Sequence, residues 1–174
     1  MGALDEDYRA WNTPVVGAFL LWRFAWGCQG VIKDGGAGEG RVARSVPLLL
    51  MCIVSVILRG KAYFSSVGLI RTLHGYTTRL IDDGKGDKLA AFHRRIKGRL
   101  AFTLKSIDIA VDRRLLEWDV GSAGLVPLEN AELLKKAKDL RGSVKDLGDK
   151  AFRIGRWMSG KTLTEIAFEL GVKF

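Results

Sequence analysis

At 174 residues the chain can build one domain with a sizeable core, and a hydrophobic fraction of 48% excludes a disordered chain. Lys and Arg number 28 against 19 Asp and Glu, a formal charge of +9 that points to an acidic partner, nucleic acid first and an acidic protein surface second. The acidic Asp5-Glu6-Asp7 has the wrong sign for a signal peptide, and the apolar stretches 14–28 and 46–58 are too short to span a bilayer. A cytoplasmic protein with no membrane partner is therefore expected. Cys28 and Cys52 both sit in apolar runs and read as free buried thiols, not as a disulfide framework.

In chain order, residues 14–28 predict a first helix, with Asn12 and Thr13 available to cap it and Pro14 in its first turn. Phe19, Leu20, Leu21, Trp22, Phe24 and Trp26 make it apolar on most sides, so it must be covered on both. Trp22 and Trp26 share one face while Phe24 points nearly opposite. One of these faces is expected to find cover on another subunit. The glycine-rich residues 33–41 lack the spacing of a phosphate-binding loop and read as a connector.

Residues 46–58 predict a second buried helix, and Ser65 or Ser66 would cap a third through Leu69, Leu73, Tyr76 and Leu80. Residues 82–87 form a turn without the ligand spacing of a calcium loop. The longest helix is expected over residues 88–117. Ile96, Leu100, Leu104, Ile107, Val111 and Leu115 recur on it at steps of three and four as a core stripe. Its other face mixes Arg95, Arg99 and Arg113 with Phe102, Ser106 and Ile109. Residues 116–127 then read as a two-stranded hairpin around a glycine-flanked loop.

The expected fold is mostly α with a small β-hairpin: a winged helix-turn-helix core with N- and C-terminal helical additions. Residues 1–44 would hold the apolar helix and glycine-rich loop, 45–128 the winged-helix-like core and 129–174 basic C-terminal helices. Of these last, 129–140 carries Lys135, Lys136 and Lys138, a second is striped by Val144, Leu147, Ala151, Ile154 and Met158, and Thr162 to Glu165 is a capping box opening a short final helix.

Gly155-Arg156-Trp157-Met158-Ser159-Gly160-Lys161-Thr162 matches the Walker A pattern letter for letter. That chemistry needs a strand before the loop and a sheet around it. The preceding residues have helical periodicity, and only twelve residues follow Thr162. The segment reads as a helix-to-helix turn. His74 and His93 make no metal spacing with the cysteines, and no nucleophile elbow is present. Neither catalytic residues, nor a metal, nor a cofactor is expected; the chain reads as a non-enzymatic adaptor.

Several short segments carry a family resemblance. Trp11-Asn12-Thr13-Pro14 before an apolar helix, the run Val46-Pro47-Leu48-Leu49-Leu50, and the long helix leading into a hairpin are three of them. The ending from Ile154-Gly155-Arg156-Trp157 through Glu165-Ile166 to Leu170-Gly171-Val172 is the fourth. Together they resemble the middle component of three-component ABC systems such as the Lamassu bacterial defence systems. The resemblance implies an accessory subunit that joins an SMC-like ABC ATPase to an effector, often a nuclease, in anti-phage or anti-plasmid defence.

Two functions follow from the residues. In an adaptor, Trp22, Phe24, Trp26, Phe102 and Ile109 would meet partner subunits, because apolar groups amid arginines suit a protein interface. In a free-standing winged-helix transcription regulator, Arg94, Arg95, Arg99, Lys105, Arg113, Lys135, Lys136 and Lys138 would contact double-stranded DNA. The two readings are compatible if DNA is contacted within a complex.

Overall fold

The computed structural model describes residues 13–29, 45–59, 70–84, 86–129 and 143–172. Helix α1 spans Pro14–Cys28. Thr13 is extended and its hydroxyl faces the Val16 N–H at 3.5 Å, with Pro14 in the first turn as the sequence predicts. Strand β1 (Val46–Pro47) leads directly into α2 (Leu48–Arg59). Next come α3 (Leu73–Asp82), the short α4 (Gly86–Ala90) and the 21-residue α5 (Phe92–Asp112). Strands β2 (Leu116–Asp119) and β3 (Gly124–Pro127), then α6 (Ser143–Met158) and α7 (Leu163–Glu169), complete the order.

Several expected boundaries shift. Val46 and Pro47 are a strand and not the start of a helix, because they pair with Leu125 and Gly124 of β3. Gly124 permits this: a Cβ there would lie 2.1 Å from Ser45 Oγ. Helix α3 is capped by Thr72, whose hydroxyl accepts from the Gly75 N–H at 3.1 Å, and not by Ser65 or Ser66, which lie outside the described residues. The long helix is interrupted at Ala91 and ends at Asp112, where Arg113 and Arg114 turn the chain into β2. The hairpin falls where predicted, and the sheet is three-stranded and antiparallel in the order β1-β3-β2.

Helix α1 is the centre of the molecule. It packs chiefly against α6 and α5, with further contacts to α2 and β3. The α1–α6 contact is backbone to backbone. A Cβ at Gly27 would sit 2.1 Å from the Phe152 carbonyl oxygen, and one at Gly155 would sit 2.2 Å from that of Phe24. Arg23, the one charge in α1, reaches the flank of α6, where it pairs with Asp149 at 3.1 Å and lies over the Phe152 ring. One contiguous core draws on all three expected segments, from Trp22 and Phe24 through Met51, Ile53, Tyr76 and Ile107 to Ile154 and Ile166.

The predicted stripe holds at Ile96, Ile107 and Leu115, which are buried, and at Val111, which packs against the core, but not at Leu100 and Leu104. Leu100 and Leu104 are 43% and 38% exposed, while the buried face is Phe92, Ile96, Arg99, Thr103, Ser106, Ile107 and Ala110. The reason is close helix approach. Ser106 and Phe102 lie against Gly17 of α1, and Thr103 meets Ser55 of α2 in a 2.8 Å hydrogen bond between hydroxyls. Thr103 and Ser106 also donate to the Arg99 and Phe102 carbonyls of their own helix, so neither hydroxyl is buried unsatisfied.

Candidate functional site

The candidate surfaces are the outward face of α5 and the hairpin that follows it. On α5, His93, Arg94, Arg95, Lys97 and Lys105 are exposed, with Leu100, Ala101 and Leu104 among them. From Phe92 to Ile107 the helix has no carboxylate; Asp108 and Asp112 appear only in its last turns. Arg113 is exposed at the end of the helix, 3.6 Å from the Asp112 carboxylate.

Arg99 is a correction. It is 8% exposed, its guanidinium lies 3.8 Å from the centre of the Phe102 ring, and the packing of α5 against α1 and α2 draws it inward. It is therefore not part of the face that could meet phosphate. Arg94, Arg95, Lys105 and Arg113 remain on the surface, and Lys135, Lys136 and Lys138 lie outside the described residues.

The aromatic residues expected at a partner interface divide in the same way. Trp22 and Phe24 are both fully buried. Both are covered within the same chain, since both belong to its single buried core. Trp22 donates its indole N–H to the Leu128 carbonyl at 3.1 Å. Trp26, Phe102 and Ile109 are half-buried, with Trp26 and Ile109 against the core and Phe102 beside Gly17.

The hairpin was not singled out as a site by sequence reasoning, although its composition carries the signal. Residues 115–129 contain Glu117, Asp119 and Glu129 and no Lys or Arg, in a chain of formal charge +9. Trp118 and Val120 are 42% and 91% exposed. Asp119 accepts from the Gly121 N–H at 3.1 Å and from the Ser122 hydroxyl, and these bonds, the hydroxyl foremost, hold its carboxyl below the usual carboxylate range. The tip is thus acidic, apolar and locally braced.

The Walker-like segment forms no phosphate cradle. Gly155 lies inside α6, and Gly160, at φ +82, turns the chain into α7. Lys161 pairs with Glu169 at 2.6 Å, and the Glu165 carboxylate takes the Thr162 N–H at 2.6 Å. The cation and the N–H that a phosphate would use are both engaged by carboxylates of α7. The turn borders a pocket of about 140 Å³ with Cys28, Ser45, Val46 and Leu50. Among the described residues no cluster of His, Cys, Asp and Glu could hold a metal ion, and no helix is long and apolar enough to cross a membrane.

The described surface thus carries a basic helix face and an acidic, apolar hairpin. The family model described as ABC-three component (ABC-3C) system Middle Component 3 matches residues 69–174, and the chain belongs to that family. No curated protein and no solved structure matches it. A middle component of a three-component system has partner components by its nature, and its place is that of an accessory subunit.

Proposed function

We propose that this chain is the non-catalytic bridge of a Lamassu-type defence complex, joining an SMC-like ABC ATPase to an effector nuclease in the cytoplasm. The reading rests on family membership together with one observation, the charge division between α5 and the hairpin. The order helix, strand, helices, hairpin and the strand order β1-β3-β2 support a winged-helix core, with α5 as the recognition helix and residues 116–127 as the wing. In a DNA reader that uses both elements, the wing lies near phosphates. Here it would bring Glu117 and Asp119 to them, which is repulsive. DNA contact is then confined to the α5 face, through Arg94, Arg95 and Lys105, and is secondary to protein contacts.

Co-expression of the chain with the other two components, tagged in turn, tests the bridge. The expected result is pairwise recovery with each and a ternary complex that is lost when this chain is omitted. Recovery of the ATPase with the effector in its absence would refute bridging. A free-standing regulator would instead form a symmetric dimer and bind one duplex sequence tightly at physiological salt.

A further inference from the structure

We propose that the hairpin tip, residues 117–120, is a docking finger for an apolar pocket ringed by lysine or arginine on another component of the system. The inference rests on the bridging reading above and specifies one of its two contacts.

Three observations lead to it. Trp118 and Val120 present two apolar side chains to solvent where β2, the strand that does not pair with β1, runs into the hairpin turn, and Val120 is 91% exposed. A lone exposed hydrophobe is ordinary, but tryptophan is the residue most enriched among the energetic anchors of interfaces. Second, the tip is held in shape: both Asp119 oxygens accept hydrogen bonds from its own loop, and Trp118 and Asp119 are paired with Leu125 and Gly124 of β3. A braced tip loses little conformational freedom on docking, so less of its contact energy is offset. Third, the charge selects the occupant. Glu117 and Asp119 flank Trp118 in sequence, and residues 115–129 hold no Lys or Arg. Such a surface is repelled by phosphate, whether of nucleic acid or of lipid, and attracted by a basic protein surface. The basic face of α5 on a second copy of this chain offers the same charge, so self-association is a competing outcome that the experiment must separate.

The full-length chain co-expressed with the other two components is the material. Val120→Lys places a cation at the tip without disturbing a buried contact, and Glu117→Lys reverses the flanking charge. A photo-crosslinking amino acid at position 120 identifies the occupant. The expected results are at least a tenfold loss of one component from the Val120→Lys pull-down at an unchanged melting temperature, and crosslinking of position 120 to that component. Recovery by the wild type should fall as salt rises, and less steeply for Glu117→Gln. Undiminished recovery by Val120→Lys, or crosslinking to DNA or to a second copy, overturns the docking finger while leaving the bridge intact. If the wild-type chain recovers neither component, the bridge fails and the finger with it.

Discussion

At the turn between α6 and α7, the Thr162 hydroxyl accepts from the Glu165 N–H at 3.3 Å while the Glu165 carboxylate takes the N–H and hydroxyl of Thr162. These contacts, the Thr162 backbone N–H foremost, lower the Glu165 pKa. A carboxyl whose folded pKa is depressed adds stability above its unfolded pKa and loses it as pH falls through the folded one. Melting temperatures of the wild type and Glu165→Gln should therefore differ at pH 7 and converge toward pH 3. Thr162→Ala, which removes the cap itself, should cost about 1 kcal/mol at neutral pH, read by chemical denaturation. Lys161→Ala should leave the ATPase rate of an assembled complex unchanged within a few-fold, because Lys161 is turned toward Glu169. A loss comparable to a Walker mutation in the ATPase component would contradict this. The capping box was legible from four letters, since the motif is a local exchange of hydrogen bonds that needs no tertiary context.

At the scale of elements, the α1–α6 crossing admits no side chain at Gly27 or Gly155. Gly155→Ala forces the two backbones apart and should destabilise the chain by roughly 1–3 kcal/mol, although alanine is the better helix former. A melting temperature equal to wild type would show that the two helices can separate at little cost. On α5, replacing Arg94, Arg95 and Lys105 with Ala should flatten the log–log salt dependence of duplex binding by roughly 0.9 for each phosphate that is no longer neutralised. Arg99→Ala should instead act on stability, because its side chain is inside. Helix existence was readable in α1 from its apolar run, caps and Pro14, in α5 and α6 from periodicity, and the hairpin from its glycine-flanked loop. The facing of α5 was readable only in part. Hydropathy placed Ile96 and Ile107 correctly in the core but added Leu100 and Leu104, whereas the packed face is completed by Thr103, Ser106 and Ala110, small residues or hydroxyls that can bond locally. Strand β1 was equally hidden, since two residues carry no period and only their pairing with β3 defines them.

For the molecule as a whole, the apolar N-terminal helix that looked like an offered surface is the axis on which the rest is built. Its covering helix α6 lies in the last third of the sequence, and the hairpin supplies the Leu128 carbonyl that receives Trp22. Of the docking residues chosen for being apolar, Trp22 and Phe24 therefore fell into the core while Trp26, Phe102 and Ile109 are half-buried, and the exposed Trp118 and Val120 were visible only once the core was assigned. A chain truncated after residue 129 should lose the α6 side of the α1 packing, while α2, α5 and β3 remain. Expressed alone it is expected to be insoluble or to melt without a cooperative transition, whereas a soluble product with a sharp transition would show that α6 is dispensable.

The central position of α1 also sets a clock for synthesis. Helix α1 leaves the ribosome well before α6, whose residues cover its Phe24 and Gly27 side. At about 5–20 residues per second, translation from Cys28 to Met158 takes roughly 6–26 s. Throughout that interval α1 lacks the cover of α6 and can pack only against what has already emerged of α2, α5 and β3. The nascent chain must either be sheltered for those seconds or hold α1 against a provisional partner that α6 later displaces. Slower translation between the hairpin and α6 lengthens the exposure, so synonymous codon changes confined to that stretch would alter the soluble yield of an unchanged protein.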